Sequence, residues 1–155
     1  MLLKERFANR KIIVIGAGAT GKSIVNFLSS QNLTFDIFDE KVDSLNGLPV
    51  TNSLSQKYEI AIVSPGWRKE HSVLVELQKN GSEIISELDL AWLIKEEVAP
   101  SQKWVAVTGT NGKTTTVQMI ESILEKSNFR AIACGNVGLP VIEAVCSAEN
   151  FEILA

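Results

Sequence analysis

One histidine, His71, and two cysteines, Cys134 and Cys146, are all the imidazole and thiol that 155 residues provide. No Ser–His, Cys–His or clustered metal-ligand arrangement can be built from so few groups, which removes triad chemistry and a structural zinc site. His71 is expected to start a helix or lie at the surface, and the two cysteines, without metal spacing, to be reduced packing residues. Positive charge is also short: Lys and Arg number 15 against 18 Asp and Glu, a net −3. A dedicated nucleic-acid binder shows the opposite surplus. No run of about 18 apolar residues exists to span a membrane, and Met1–Phe7 lacks the long apolar centre of a secretion signal. The expectation is a cytoplasmic protein, with no nucleic-acid partner and no membrane insertion. What is present is ordinary for a soluble α/β chain that buries a core: 45% hydrophobic and 21% charged residues.

Apolar, β-branched runs alternate with amphipathic stretches. Strands are expected at 11–16, 34–39, 59–64 and 83–85. Helices are expected at 20–31, where Ile24, Phe27 and Leu28 share a face, at 72–80, and at 87–96, which carries Leu88, Leu90, Ala91, Leu93 and Ile94. Residues 95–102 are polar, contain Pro100, lack a period and read as a linker. Beyond them a strand is expected at 103–108, a helix at 113–127, a strand at 130–134, a helix at 140–148 and a strand at 151–155. This alternation predicts α/β architecture with mostly parallel sheets, as a domain at 1–97 followed by the beginning of a second at 103–155. The last strand reads as cut partway, so the chain is expected to be the N-terminal part of a longer protein. Trp67, Trp92 and Trp104 are not grouped as a stacking platform and read as packing; Lys126 and Arg130 read as solvated charges.

Two glycine turns follow strands and open helices. The first, Gly16-Ala-Gly-Ala-Thr-Gly21, satisfies both Gly-x-Gly-x-x-Gly and, through Lys22-Ser23, the strict phosphate-loop pattern. Either way main-chain amides face a diphosphate; the readings differ in whether Lys22 reaches phosphate or points to solvent. Asp39, at the end of the next strand, favours the Rossmann-like reading, because a carboxylate there can accept from a ribose hydroxyl or a base N–H. A solvated strand-end acid, and glycines serving only close packing, remain the plainer alternatives. The second turn, Thr108-Gly-Thr-Asn-Gly-Lys-Thr-Thr-Thr116, has Val107 where the strict pattern asks for glycine. Nothing structural demands a lysine and then hydroxyls after Gly112. Lys113 beside a γ-phosphate, with Thr114 or Thr115 at a magnesium ion, gives that order a reason.

At Gly109-Thr-Asn-Gly-Lys-Thr-Thr115 the chain resembles the ATP-binding loop of the Mur ligases, amide-forming enzymes of peptidoglycan precursor synthesis, in which the missing first glycine is usual. Gly16–Gly21, Asp39, Ser64-Pro-Gly66 and Gly135-Asn-Val-Gly138 look like the member that adds D-glutamate to UDP-N-acetylmuramoyl-L-alanine. The resemblance implies a Rossmann-like domain that holds the UDP part of the substrate, then a P-loop-type α/β ATPase domain, with ATP and Mg2+ as cofactors and a monomer at full length. It implies that Ala19, Thr20 and Gly21 meet the diphosphate and Asp39 the uracil, with Ser64 and Gly66 lining the same cleft. Glu40 stands where the related enzyme has a second uracil contact. Gly109, Thr110, Asn111, Gly112, Lys113, Thr114 and Thr115 would hold ATP, Lys113 and Thr114 acting in catalysis and Thr114 and Thr115 at the metal. Asn136 would touch the muramoyl part. The chemistry implied is carboxylate activation through an acyl phosphate. Further groups, an acidic Mg2+ ligand among them, would lie beyond Ala155, so this stretch alone is not expected to ligate. An NAD-binding oxidoreductase or sensor would leave the second turn unexplained; a small P-loop ATPase would leave the first idle. A non-enzymatic binding module also stays open.

Overall fold

Ile12–Ile15 form β1 with all four side chains buried, as a continuous apolar run demands of a strand covered on both faces. The computed structural model describes residues 3–155. The chain divides into two compact units, one up to Leu90 and one from Ala91, the division falling inside a helix.

In the first unit, β1 lies between β2 (Phe35–Phe38) and β5 (Ile60–Val63), and β6 (Glu83–Ser86) extends the sheet beyond β5. All pairs are parallel; Ile12 stands opposite both Phe35 and Ile60. Helix α1 (Leu3–Phe7) precedes β1, α2 (Ala19–Ser30) joins β1 to β2, and α3 (Ser72–Lys79) leads to β6. Between β2 and β5 a two-stranded hairpin, β3 (Ser44–Leu45) with β4 (Leu48–Pro49), takes the place of a helix. This hairpin is an addition to the expected elements, although Asn46-Gly47 between its strands carries the signal: both residues have positive φ (53° and 80°), as a tight hairpin turn requires. Ile13, Ile15, Phe38, Ala61, Val63, Val73, Leu74 and Leu77 form one core cluster with Tyr58, and Leu54 and Trp67 pack against its edge.

Helix α4 (Glu87–Val98) begins with a reciprocal cap. Ser86 N–H and Oγ donate to Asp89 Oδ2, and Asp89 N–H donates to Ser86 Oγ. Leu90, Ala91 and Ile94 are buried, but Leu88 is exposed, so the expected apolar face is narrower than the sequence suggested. The expected linker is corrected as well. Its first four residues continue α4, and Lys95 is buried with its ammonium on Glu96 and the Pro100 carbonyl.

The second unit holds a parallel sheet in the order β7 (Lys103–Trp104), β9 (Ile153–Leu154), β8 (Ala131–Ile132), with α5 (Lys113–Lys126) and α6 (Val141–Val145) between strands. These strands are shorter than expected. The first ends at Trp104, with one further ladder bond from Val105 N–H to Leu154 O, so 105–112 is open loop. Trp92 and Trp104 make an edge-to-face pair, ring centroids 5.1 Å apart, a packing contact and not a stacking platform. Neither Cys134 nor Cys146 is in a disulfide; Cys146 is exposed, not the buried residue expected. Arg130 is exposed but pairs with Glu152.

An acid-sensitive tie fastens the chain's start to the sheet. Glu83 accepts from the guanidinium groups of Arg10 (2.9 Å) and Arg6, which hold its carboxyl below the ordinary glutamate range, Arg10 contributing most. A carboxyl depressed on folding stabilises the folded state above its unfolded pKa and loses that contribution as pH falls through its folded value. Glu83→Gln is therefore expected to cost about 0.5–1 kcal/mol at pH 7. In urea unfolding, the gap from the wild type should close as pH drops below about 4.3. A gap that persists at pH 3 would contradict the ion-pair origin.

Candidate functional site

Parallel strands point their carboxyl ends to one edge, and the first unit gathers its glycine turn, Asp39 and Ser64-Pro-Gly66 there, after β1, β2 and β5. With β1 between β2 and β5, this is the point where chain order reverses and a crevice opens. The first bond inside α2 runs from Lys22 N–H to the Gly18 carbonyl, and Gly18 offers no side-chain cap. The amides of Ala19, Thr20 and Gly21 consequently have no helical acceptor and stand at the positive end of the helix dipole. Lys22 is exposed, the solvent-facing alternative.

Asp39 is half-buried and does more than the sequence implied. Its Oδ2 accepts from Ala17 N–H (2.8 Å) and its Oδ1 from Lys41 N–H (2.9 Å), so it braces the glycine turn against the end of β2. Each oxygen keeps a further lone pair for a ligand. Glu40 is not idle: its Oε1 lies 3.4 Å from His71 Nε2, while His71 Nδ1 accepts from Val73 N–H and caps α3. His71 thus starts a helix, as expected.

Ser64 is buried, and its hydroxyl is the one enclosed side-chain polar atom among the described residues without a hydrogen-bond partner. It faces Gly16: a Cβ placed there would stand 3.0 Å from Ser64 Oγ and 2.6 Å from Trp67 Nε1. Gly66 is exposed and, with Asp39, Glu40, Lys41, Trp67 and His71, borders an open cavity of about 500 Å³. That volume is in the range of small-ligand sites, roughly 300–1,000 Å³.

The second unit repeats the arrangement. Gly109 (φ 151°) and Gly112 (φ 78°) shape the turn, and the first bond inside α5 runs from Thr116 N–H to Gly112 O. No side chain caps α5, neither Thr110 nor Asn111, so the amides of Lys113, Thr114 and Thr115 lack helical acceptors. Thr110, Asn111, Thr114 and Thr115 are exposed. Lys113 Nζ folds back to donate to the Gly109 and Thr110 carbonyls. Asn136, exposed in Gly135–Gly138, follows β8 and so shares the carboxyl edge with the loop after β7. Among the described residues, no cluster of three His, Cys, Asp or Glu side chains is placed to hold a metal. Two neutral hydroxyls, Thr114 and Thr115, suit an ion only in company with phosphate oxygens.

Residues 10–86 match the family model described as Mur ligase MurD-like, N-terminal domain, and residues 107–151 match Mur ligase middle domain. Among similar proteins, UDP-N-acetylmuramoylalanine–D-glutamate ligase of Thermobifida fusca is 35% identical over 94% of this chain and 34% of its own length. Those of Nocardia farcinica and Corynebacterium efficiens are 33% and 32% identical, over 97% and 93% of this chain and 34% and 33% of theirs. The chain thus spans about a third of the length of the curated relatives it matches. A solved UDP-N-acetylmuramate:L-alanyl-gamma-D-glutamyl-meso-diaminopimelate ligase from Neisseria meningitides superposes with a TM-score of 0.48 at 20% identity, covering 86% of this chain and 46% of that one. No described helix is long and apolar enough to cross a membrane.

Proposed function

The chain belongs to the Mur ligase family, and from that premise we propose that it is the nucleotide-binding part of an ATP-dependent, ADP-forming acid–amino-acid ligase. The reaction would add D-glutamate to UDP-N-acetylmuramoyl-L-alanine through an acyl phosphate, in the cytoplasm, as a step of peptidoglycan precursor synthesis. The observation that carries this reading is the pair of uncapped helix starts, Ala19–Gly21 and Lys113–Thr115, each at the carboxyl edge of a parallel sheet. Two such ends suit two phosphate-bearing ligands. One site alone would serve a dehydrogenase or a simple ATPase.

In this reading the substrate domain takes residues 1–97 and the ATPase domain begins at 103. The amides of Ala19, Thr20 and Gly21 meet the UDP diphosphate. Asp39 accepts from the uracil imide while bracing the turn, and Ser64 and Gly66 border the cleft. The loop Gly109–Thr115 wraps the ATP phosphates with main-chain N–H groups, and Lys113 exchanges its loop carbonyls for phosphate oxygens, a stronger charge-assisted bond. Mg2+ bound with ATP neutralises charge on the phosphate oxygens; Thr114 and Thr115 are the hydroxyls that would hold it. Asn136 donates to the muramoyl portion. The chain's part in catalysis is to orient the phosphates and balance their developing charge.

Calorimetry on this chain tests the first site. UDP is expected to bind and NADH to give no heat. Asp39→Ala should weaken UDP about tenfold or more, since a charge-assisted bond and the brace on the turn are lost together. NADH binding in preference to UDP would sink the assignment.

A further inference from the structure

We propose that Trp67 is a ligand-binding residue of the UDP site, its ring walling the base cavity and its indole N–H donating to the diphosphate; this rests on the reading of that site given above. Trp67 is half-buried at the edge of the core, held edge-to-face between Phe38 (ring centroids 5.6 Å) and His71 (4.6 Å). Packing accounts for a ring at this position. It does not account for the direction of the nitrogen.

The Nε1 atom is turned to Gly16, at the spot the Ser64 hydroxyl also faces. No described residue accepts from the indole N–H, and the Ser64 hydroxyl is enclosed without a partner. Two neutral donors therefore converge over the glycine turn, beside the amides of Ala19, Thr20 and Gly21. An enclosed hydroxyl left unpaired, as that of Ser64 is, costs about 1–3 kcal/mol, and the indole N–H is an open donor aimed at the same spot. An oxygen of a diphosphate seated on the turn supplies an acceptor. Any side chain at residue 16 would fill the same space, so the glycine keeps this pocket of donors open.

The rest of the indole borders the cavity shared with Asp39, Glu40 and His71. A planar pyrimidine whose polar edge is turned to Asp39 presents its face to this wall, where aromatic contact is favourable. The Glu40–His71 pair and the edge-to-face contact with His71 fix the ring's angle. Trp67 thus joins the two halves of the site, base cavity and phosphate turn, through one rigid side chain. Neither its family motif nor helical periodicity marks it.

The test uses the 15N-labelled chain, with UDP and uridine as probes. On titration with UDP the indole N–H resonance of Trp67, assigned by its loss in Trp67→Phe, should move while those of Trp92 and Trp104 stay. Trp67→Phe keeps a ring and removes the donor; it should bind UDP about tenfold more weakly and uridine as the wild type does. Trp67→Leu should weaken both ligands. A stationary Trp67 resonance at saturating UDP, or a Trp67→Phe variant with unchanged UDP affinity, overturns the donor role. Trp67→Leu binding uridine normally overturns the wall. Should Trp67→Leu lose its thermal transition, the resonance and the phenylalanine variant decide. Wild-type chain that binds neither probe defeats the underlying site reading, and this inference with it.

Discussion

Gly21→Ala is expected to lower the melting temperature of the first unit by about 12 °C or more. A Cβ at this position would stand 1.9 Å from the Gly16 carbonyl oxygen and 2.8 Å from its carbon. Both are main-chain atoms of a turn braced by Asp39 through Ala17 N–H, so neither can swing away as a flexible side chain would. Relief requires α2 to lift from the end of β1, which opens the contact of Ile24 and Leu28, both fully buried, with the interior. Overpacking costs about 1–3 kcal/mol and occasionally more, and a clash with main-chain atoms belongs at the upper end. A kilocalorie shifts the midpoint of a domain this size by about 4–8 °C. Gly18→Ala supplies the comparison. Nothing stands within 4 Å of a Cβ there and its φ of −76° suits any residue, so a change under about 0.5 kcal/mol is expected. Equal melting temperatures for the two variants would mean that α2 does not press on the turn as described. The role of Gly21 is therefore double: it lets the helix approach, and its free amide faces the proposed diphosphate.

Lys113→Ala, made in the ligase proposed above, is expected to reduce ligation by a factor of about 10²–10³ while leaving affinity for the UDP substrate within about twofold. The asymmetry follows from where the charge sits. Lys113 is the first residue of α5, and its ammonium lies over the carbonyls of Gly109 and Thr110 in the loop proposed to hold ATP. Lys113 and the glycine turn after β1 belong to different units. Developing negative charge on a transferring phosphoryl group is stabilised by fixed cations and aligned N–H groups, and loss of one such contact costs about 2.7–4 kcal/mol. Removing the side chain also frees two loop carbonyls, so some slackening of 109–112 adds to the loss. Steady-state turnover together with calorimetry of UDP-substrate binding separates the two effects. Normal turnover would remove Lys113 from the chemistry. A parallel collapse of UDP binding would point to misfolding, which the thermal transition reports.

How much of this was written in the residue order differs from element to element. Apolar continuity in Lys11–Ile15 and Glu59–Val63, and three-four spacing in the helices after them, fixed the parallel α/β architecture, because a strand buried on both faces and a helix with one apolar stripe leave little choice. The two glycine turns were equally legible, since positive φ and close approach are demands that few residues meet. Strand ends were not. Val105–Val107 read as strand from composition, yet only one ladder bond continues past Trp104. The hairpin at 44–49 shows itself only in its turn, Asn46-Gly47, because strands of two residues are too short to carry a period.

Local order alone set two uncapped helix starts after glycine turns, the places proposed to meet phosphates, because the free amides, the dipole and Lys113 are properties of a few consecutive residues. Only the tertiary structure decided what faces those amides. The Asp39 brace to Ala17, the Glu40–His71 pair and the convergence of Ser64 and Trp67 on Gly16 bring together residues up to tens of positions apart. Their meeting depends on strand order and on the depth to which α2 settles, and neither quantity exists until the sheet has formed.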